Sequence, residues 1–258
     1  MFTLRDILSR SESFLEENKL ENPRRHAELL VCDILAMKRI DLYMNIDKPL
    51  NEQEITACRD ALMRRARKEP LEYISGKAAF YGCELAITPA VLIPRQETEL
   101  LVDIIATDLK DIDTTGKVLW DICCGSGCIG IALKKKFPEL TVHLSDVSSK
   151  ALEIAEYNAE KNDAAVIIHC GDLLAPFAGK YADFVTCNPP YIPQEEYDAL
   201  DSGVRDYEPQ VALCSGATGL EIYQRLAAEL PHHMNKGGKT WMEMGYNQGE
   251  DIAKIFTT

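Results

Sequence analysis

From Gly116 onward the chain alternates short apolar runs with longer stretches of helical spacing, and this alternation restricts the fold more than any other feature. The apolar runs are Val118-Leu-Trp-Asp-Ile122, Thr141-Val-His-Leu-Ser145, Ala165-Val-Ile-Ile-His169, Phe184-Val-Thr-Cys187 and Lys239-Thr-Trp-Met-Glu-Met244. Helical patterns fall between or beside them over 129–133, 149–162 and about 219–230. Short strands without a polar face, separated by helices, predict a mostly parallel sheet with helices on both faces. In such sheets ligands sit beyond the carboxyl ends of the strands. The chemically notable residues of this chain fall there.

The first run leads into Gly125-Ser-Gly-Cys-Ile-Gly130, spaced as G-x-G-x-x-G. Glycine lets the backbone turn tightly and approach a ligand closely, and the helix start that follows offers unpaired N–H groups. This spacing fits a dinucleotide as well as other nucleotide cofactors. Two acids favour S-adenosylmethionine. Asp121 precedes the loop, where it is expected to meet a ligand's ammonium group and would repel a pyrophosphate. Asp146 ends the next strand, where it can accept hydrogen bonds from ribose hydroxyls. Asp172 and Leu173 follow the third strand, suited to an adenine amino group and to the apolar face of its ring.

The fourth strand runs into Asn188-Pro-Pro-Tyr191. An Asn side-chain oxygen can accept one N–H of a planar –NH2 group, and the Pro189 carbonyl can accept the other. Pro189 and Pro190 stiffen the backbone that carries these acceptors, and Tyr191 can pack on the planar group. Held this way, the nitrogen lone pair can be aimed at a methyl donor by positioning and acceptor electrostatics alone. These four residues leave open whether the group is a base or an amide.

The first seventy residues have a different texture. Leu4, Ile7, Leu8, Phe14 and Leu15 mark a helix over 3–18, Asn22-Pro23 marks the start of a second, and Asn51 with Glu54 forms a capping-box pattern for a third. A small helical bundle is expected. Gly82, between two β-prone stretches in 79–88, predicts a hairpin after it. The net charge of −13 lowers the prospect of a duplex-binding protein, which needs a basic face. No run of about 18 apolar residues occurs, so no membrane span is expected. The nine cysteines are scattered, and Cys123, Cys124 and Cys128 lack the C-x-x-C spacing and nearby His of a zinc site, so reduced thiols and no metal are expected.

At this point the chain resembles the class I S-adenosylmethionine-dependent methyltransferases, and within them the release-factor glutamine N5-methyltransferases (the HemK/PrmC family). The resemblance rests on Glu69-Pro-Leu-Glu-Tyr-Ile-Ser-Gly76, Phe80-Tyr-Gly82, Leu92-Ile-Pro-Arg-Gln-Glu-Thr-Glu99, Asn188-Pro-Pro-Tyr-Ile192 and Tyr207-Glu-Pro209 with the residues after it. It implies an α/β fold with a Rossmann-like methyltransferase domain over 96–258, preceded by a helical substrate-recognition domain over 1–72 and a β-hairpin linker over 73–95. It implies methyl transfer from S-adenosylmethionine, giving S-adenosylhomocysteine, to the Gln of a Gly-Gly-Gln motif in class 1 peptide chain release factors, in the cytoplasm. The cofactor would lie on Asp121, Cys123, Cys124, Gly125, Ser126, Gly127, Asp146, Asp172, Leu173 and Asn188. Asn188, Pro189, Pro190 and Tyr191 would hold the Gln amide. The alternative is an N6-adenine or N4-cytosine amino-methyltransferase, which uses a similar turn; with this charge a nucleic-acid substrate is not expected. The chain departs from the family at Cys123, where Gly is usual, and is expected to stop short of the family's final strand.

Overall fold

The computed structural model describes residues 2–257, and the chain divides into two compact units. One takes the residues up to Gly76 together with Ser202–Tyr207; the other takes Lys77–Asp201 and the residues from Glu208 onward.

The first unit contains α1 (Leu4–Glu17), α2 (Pro23–Leu35), α3 (Arg39–Met44), α4 (Glu52–Ala66) and α5 (Leu71–Ser75). Thr3 caps α1 reciprocally with Asp6, the Thr3 N–H donating to the Asp6 carboxylate at 2.9 Å. Asn51 and Glu54 cap α4 in the same way, as their spacing predicts. Asn22 does not act as the expected side-chain cap. It stands before a proline, which disfavours the right-handed helical region, and it adopts φ 50° with no cap hydrogen bond. Pro23 still opens α2, where its missing N–H costs nothing. Leu4, Leu8, Val31 and Leu42 are buried together, and Leu15, Leu30 and Leu62 form a second cluster. Among them Glu28 is a buried carboxylate. It is tolerated because Arg24 and Arg39 each donate to it at 2.6 Å and the Tyr43 hydroxyl donates as well.

The second unit opens with β1 (Lys77–Phe80) and β2 (Cys83–Ala86), paired antiparallel. Tyr81 and Gly82 between them have φ 45° and 76°, the left-handed pair whose twist suits a two-residue hairpin. There follow along the chain α6 (Gln96–Leu109), β3 (Val118–Ile122), α7 (Cys128–Lys136), β4 (Thr141–Asp146), α8 (Ser149–Lys161), β5 (Val166–Cys170), β6 (Ala182–Cys187), α9 (Gln194–Asp198), α10 (Ser202–Arg205, which belongs to the first unit), α11 (Glu221–Glu229), β7 (Met234–Met242) and α12 (Gly249–Thr257). Strands β3 to β7 form one sheet in the order β5-β4-β3-β6-β7, every neighbour parallel. The α/β class expected from the alternating pattern is therefore observed.

The order reverses between β3 and β6, which opens a crevice at their carboxyl ends. Ile122 pairs with both Ser145 and Cys187, so the chain after β3, β4 and β6 emerges along one edge. Trp120, Ile122, Val185 and Cys187 face Phe177, Leu226 and Leu230 on one side of the sheet; Trp120 stacks on Phe177 with centroids 4.0 Å apart. On the other side α7 approaches closely because Gly130 has no side chain: a Cβ there would stand 2.2 Å from Leu144 Cδ2. Strand β7 starts earlier than its apolar pattern suggests, because Ala182 pairs with Met234 ahead of a register shift and Phe184 pairs with Lys239. Among the described residues no helix is long and apolar enough to cross a membrane.

Candidate active site

A cleft of about 360 Å³ opens at the carboxyl ends of the strands. Cys123 to Ser126, Asp146, Asp172, Leu173, Asn188 and Pro190 all line it. Most of the residues singled out in the sequence are thus brought together, from four separate loops.

The glycine loop is held by backbone and by one acid. The Cys124 N–H donates to the Ser145 carbonyl at 3.0 Å. The Asp146 carboxylate accepts from the Gly125 N–H through Oδ2 and from the Ser148 N–H through Oδ1, each at 2.9 Å. Burial pushes the Asp146 carboxyl above its ordinary range while these donors pull it back. Gly125 has φ +53°, and nothing lies within 4 Å of where its Cβ would be, so the loop presents a bare face. Cys123 shares that left-handed geometry at φ 56°, a conformation costing a residue with a side chain on the order of 1 kcal/mol. Gly127 is not on the cleft wall. It starts α7, and its Cβ position is crowded by Ile131, Leu144 and Ala155.

Asp121 lies elsewhere than its expected place beside a ligand's ammonium group. It points from β3 beneath the loop, is 1% exposed and does not line the cleft. Its Oδ2 accepts from the Gly130 N–H at 2.8 Å, while Oδ1 is buried without a partner. Burial holds its carboxyl up at about 7. The reason is strand alternation: Asp121 shares the face that α7 covers, opposite Trp120 and Ile122. Asp172 is exposed, and one of its oxygens accepts from Arg225 at 2.8 Å. Leu173 is buried on the cleft wall.

At the other end of the cleft, Asn188 Nδ2 donates to Thr98 Oγ1 at 3.3 Å. Thr98 Oγ1 donates to Glu243 Oε2 at 2.6 Å, and the Tyr191 hydroxyl donates to Glu243 Oε1 at 3.4 Å. Burial, with the Glu243 charge beside it, pushes the Tyr191 phenol up to about 12. Pro189 is buried, and neither it nor Tyr191 lines the cleft. The rim is tied by Glu208, which is buried and accepts from the Ile93 N–H at 3.2 Å and from Arg95.

Four residues here were not marked by the sequence pattern: Glu243, Glu208, Thr98 as a hydrogen-bonding group, and Asn158. Asn158 is fully buried on α8; its Nδ2 donates to the Ser126 carbonyl at 3.0 Å, and its amide pairs with the backbone of Ala86. A polar residue on the buried stripe of an amphipathic helix is the one local signal that marks it. Among the described residues no cluster of three or more His, Cys, Asp and Glu is placed to hold a metal ion.

A crevice at the switch point of a five-stranded parallel sheet is the architecture of the Rossmann-like methyltransferases. The family described as "Methyltransferase small domain" matches residues 96–202, and the one described as "PrmC N-terminal domain" matches residues 6–76. The release factor glutamine methyltransferase of Geobacter sulfurreducens is 39% identical over 257 residues, covering 100% of this chain and 89% of its own. That of Chlamydia trachomatis serovar D is 40% identical over 253 residues, covering 98% and 86%. The chain belongs to the release factor glutamine methyltransferase family. In fold it is also similar to the solved structure of a methyltransferase from Pyrococcus furiosus, with a TM-score of 0.51 at 20% identity over 76% of this chain and 86% of that one.

Proposed function

We propose that this protein transfers a methyl group from S-adenosylmethionine to the side-chain amide nitrogen (N5) of the glutamine in a Gly-Gly-Gln motif of peptide chain release factors. The observation that carries the reading is that Asn188 lines the same cleft as Asp146 and the glycine loop. One cleft then serves an amino group to be methylated and a nucleoside-bearing donor.

The residues fit the donor. Asp146 has one N–H on each oxygen and lone pairs left for a ribose diol. Gly125 offers bare backbone, Leu173 an apolar wall for a flat ring, and the cleft volume of about 360 Å³ is that of a small-molecule site. When bound, the donor supplies an electrophilic methyl group on sulfonium. Everything else is positioning. The Asn188 side-chain oxygen accepts one amide N–H of the glutamine, and the Pro189 carbonyl is assigned the other. The amide lone pair is delocalised, so orientation and acceptor electrostatics are the levers available. A base is not needed before transfer, because the N–H proton becomes strongly acidic once the nitrogen carries the methyl group, and it leaves to water.

The helical unit is assigned to gripping the release factor, and the reaction to the cytoplasm, where termination takes place. The test is transfer of labelled methyl from S-adenosylmethionine to a purified class 1 release factor, with DNA and RNA as parallel acceptors. Label on the glutamine of the Gly-Gly-Gln motif is expected; label in nucleic acid alone would sink the proposal.

A further inference from the structure

Asn188 can serve as an acceptor only if its amide presents oxygen, and not nitrogen, to the cleft. The two ends are nearly the same size, so hydrogen bonding decides which faces the acceptor site. Glu243 stands just past the end of β7, its N–H donating to the Cys187 carbonyl at 3.0 Å, one residue before Asn188. The Tyr223 hydroxyl donates to its carbonyl at 2.7 Å. The backbone of Glu243 is therefore fixed against the Asn188 turn from two directions.

The polarity of the chain of bonds follows from the groups in it. A carboxylate only accepts, so the Thr98 hydroxyl must spend its single proton on Glu243 Oε2. Thr98 Oγ1 is then left with lone pairs alone and can only accept, and Asn188 supplies Nδ2–H. With its nitrogen drawn to Thr98, Asn188 turns Oδ1 away from it. Thr98 is 2% exposed, so water does not compete for its hydroxyl. The other oxygen of Glu243 receives the Tyr191 hydroxyl. One carboxylate thus sets two members of the Asn-Pro-Pro-Tyr turn.

We propose that Thr98 and Glu243 are positioning residues that fix the amide orientation of Asn188 through a one-directional relay, Asn188 to Thr98 to Glu243. The proposal rests on the assignment of Asn188 as the acceptor of an amino group. It gives Thr98, in the first turn of α6, a task at the reacting end of the cleft.

The test compares Thr98→Val, which keeps the shape and removes both bonds, with Thr98→Ser, which keeps the hydroxyl, and Glu243→Gln, which can donate as well as accept and so releases the polarity. Steady-state methyl transfer, calorimetric binding of S-adenosylmethionine and thermal melting are measured on the full chain. Thr98→Val is expected to lower kcat about 10- to 100-fold, the loss associated with small misplacement of a reacting group, with KM and cofactor affinity within about threefold of wild type. Glu243→Gln should fall in the lower part of that range, and Thr98→Ser should restore most of the rate. Wild-type kcat in Thr98→Val overturns the proposal. So does a rate in Thr98→Ser as low as in Thr98→Val, or a loss matched by weaker cofactor binding and a lower melting temperature, since both mark a merely structural role. The acceptors are release factor, DNA and RNA. Label in nucleic acid alone overturns the glutamine reading, and the variants are then scored on that acceptor, because the relay holds an amino group of either kind.

Discussion

The glycine loop and the Asn-Pro-Pro-Tyr turn occupy two ends of one cleft, yet they are held by different means. At the loop, Asp146 and Ser145 receive the N–H groups of Gly125 and Cys124, and Asp146 receives Ser148 two residues on. These contacts are mostly to backbone N–H groups and come from adjacent strands. At the turn, Asn188 depends on Thr98, ninety positions away, and Thr98 on Glu243, 145 positions away. The first end is preorganised by the sheet itself. The second is assembled from side chains that three separate elements deliver. Substitutions at the loop should therefore weaken binding, and those at the turn should slow transfer while leaving binding alone.

The largest effect is expected at Asn188. Asn188→Ala should reduce kcat/KM for methyl transfer about 10²- to 10³-fold, as when a preorganised polar partner is removed from a reacting centre. Cofactor affinity, read by calorimetry, should hardly change; transfer at the wild-type rate would remove Asn188 from its role. Next comes Asp146→Ala, which strands the Gly125 and Ser148 N–H groups and takes away the acceptor for a diol. Cofactor affinity should fall about 10- to 100-fold, with roughly 1.4 kcal/mol for each tenfold. Unchanged binding would erase the division between the two ends.

Beneath the loop, Gly130→Ala should lower stability by about 1–3 kcal/mol through overpacking against Leu144. A shift in urea midpoint checks it, and an unshifted midpoint would mean that α7 can slide without consequence. The smallest effect concerns pH. Asp121 is held up at about 7 in the folded chain, above the range of an unfolded carboxyl. Its contribution to stability is complete in the acid range below that of the unfolded carboxyl and is lost as pH rises through about 7. Asp121→Asn should then lose less stability than wild type between about pH 5 and about pH 8. Parallel melting curves across that span would show that Asp121 does not titrate in this window.

The difference between the two ends also decided what the sequence could disclose. The glycine loop, the alternating strands and the hairpin glycine are local patterns, and each maps onto an element close to its expected bounds. Asn188 was legible because prolines and an aromatic follow it directly. Thr98 and Glu243 were not, since neither is unusual beside its own neighbours and their meeting depends on α6 packing against β7. Asp121 was misplaced for a related reason. Its position next to the loop suggested the cleft, but the alternation of β3 turns it to the α7 side, where Gly130 makes room for it. The early start of β7 escaped because Asn235, Lys236, Gly237 and Gly238 carry no apolar alternation.

One feature of the helical unit bears on how the molecule can be taken apart. That unit includes Ser202–Tyr207, and the Tyr207 hydroxyl donates to the carbonyl of Arg67, the residue closing α4, at 2.8 Å. A gene fragment ending at Gly76 would omit this segment and leave the Arg67 carbonyl to solvent. The unit is discontinuous in sequence, so it is no cassette to be excised at one junction or swapped between relatives by a single crossover. A faithful graft has to carry both pieces of chain.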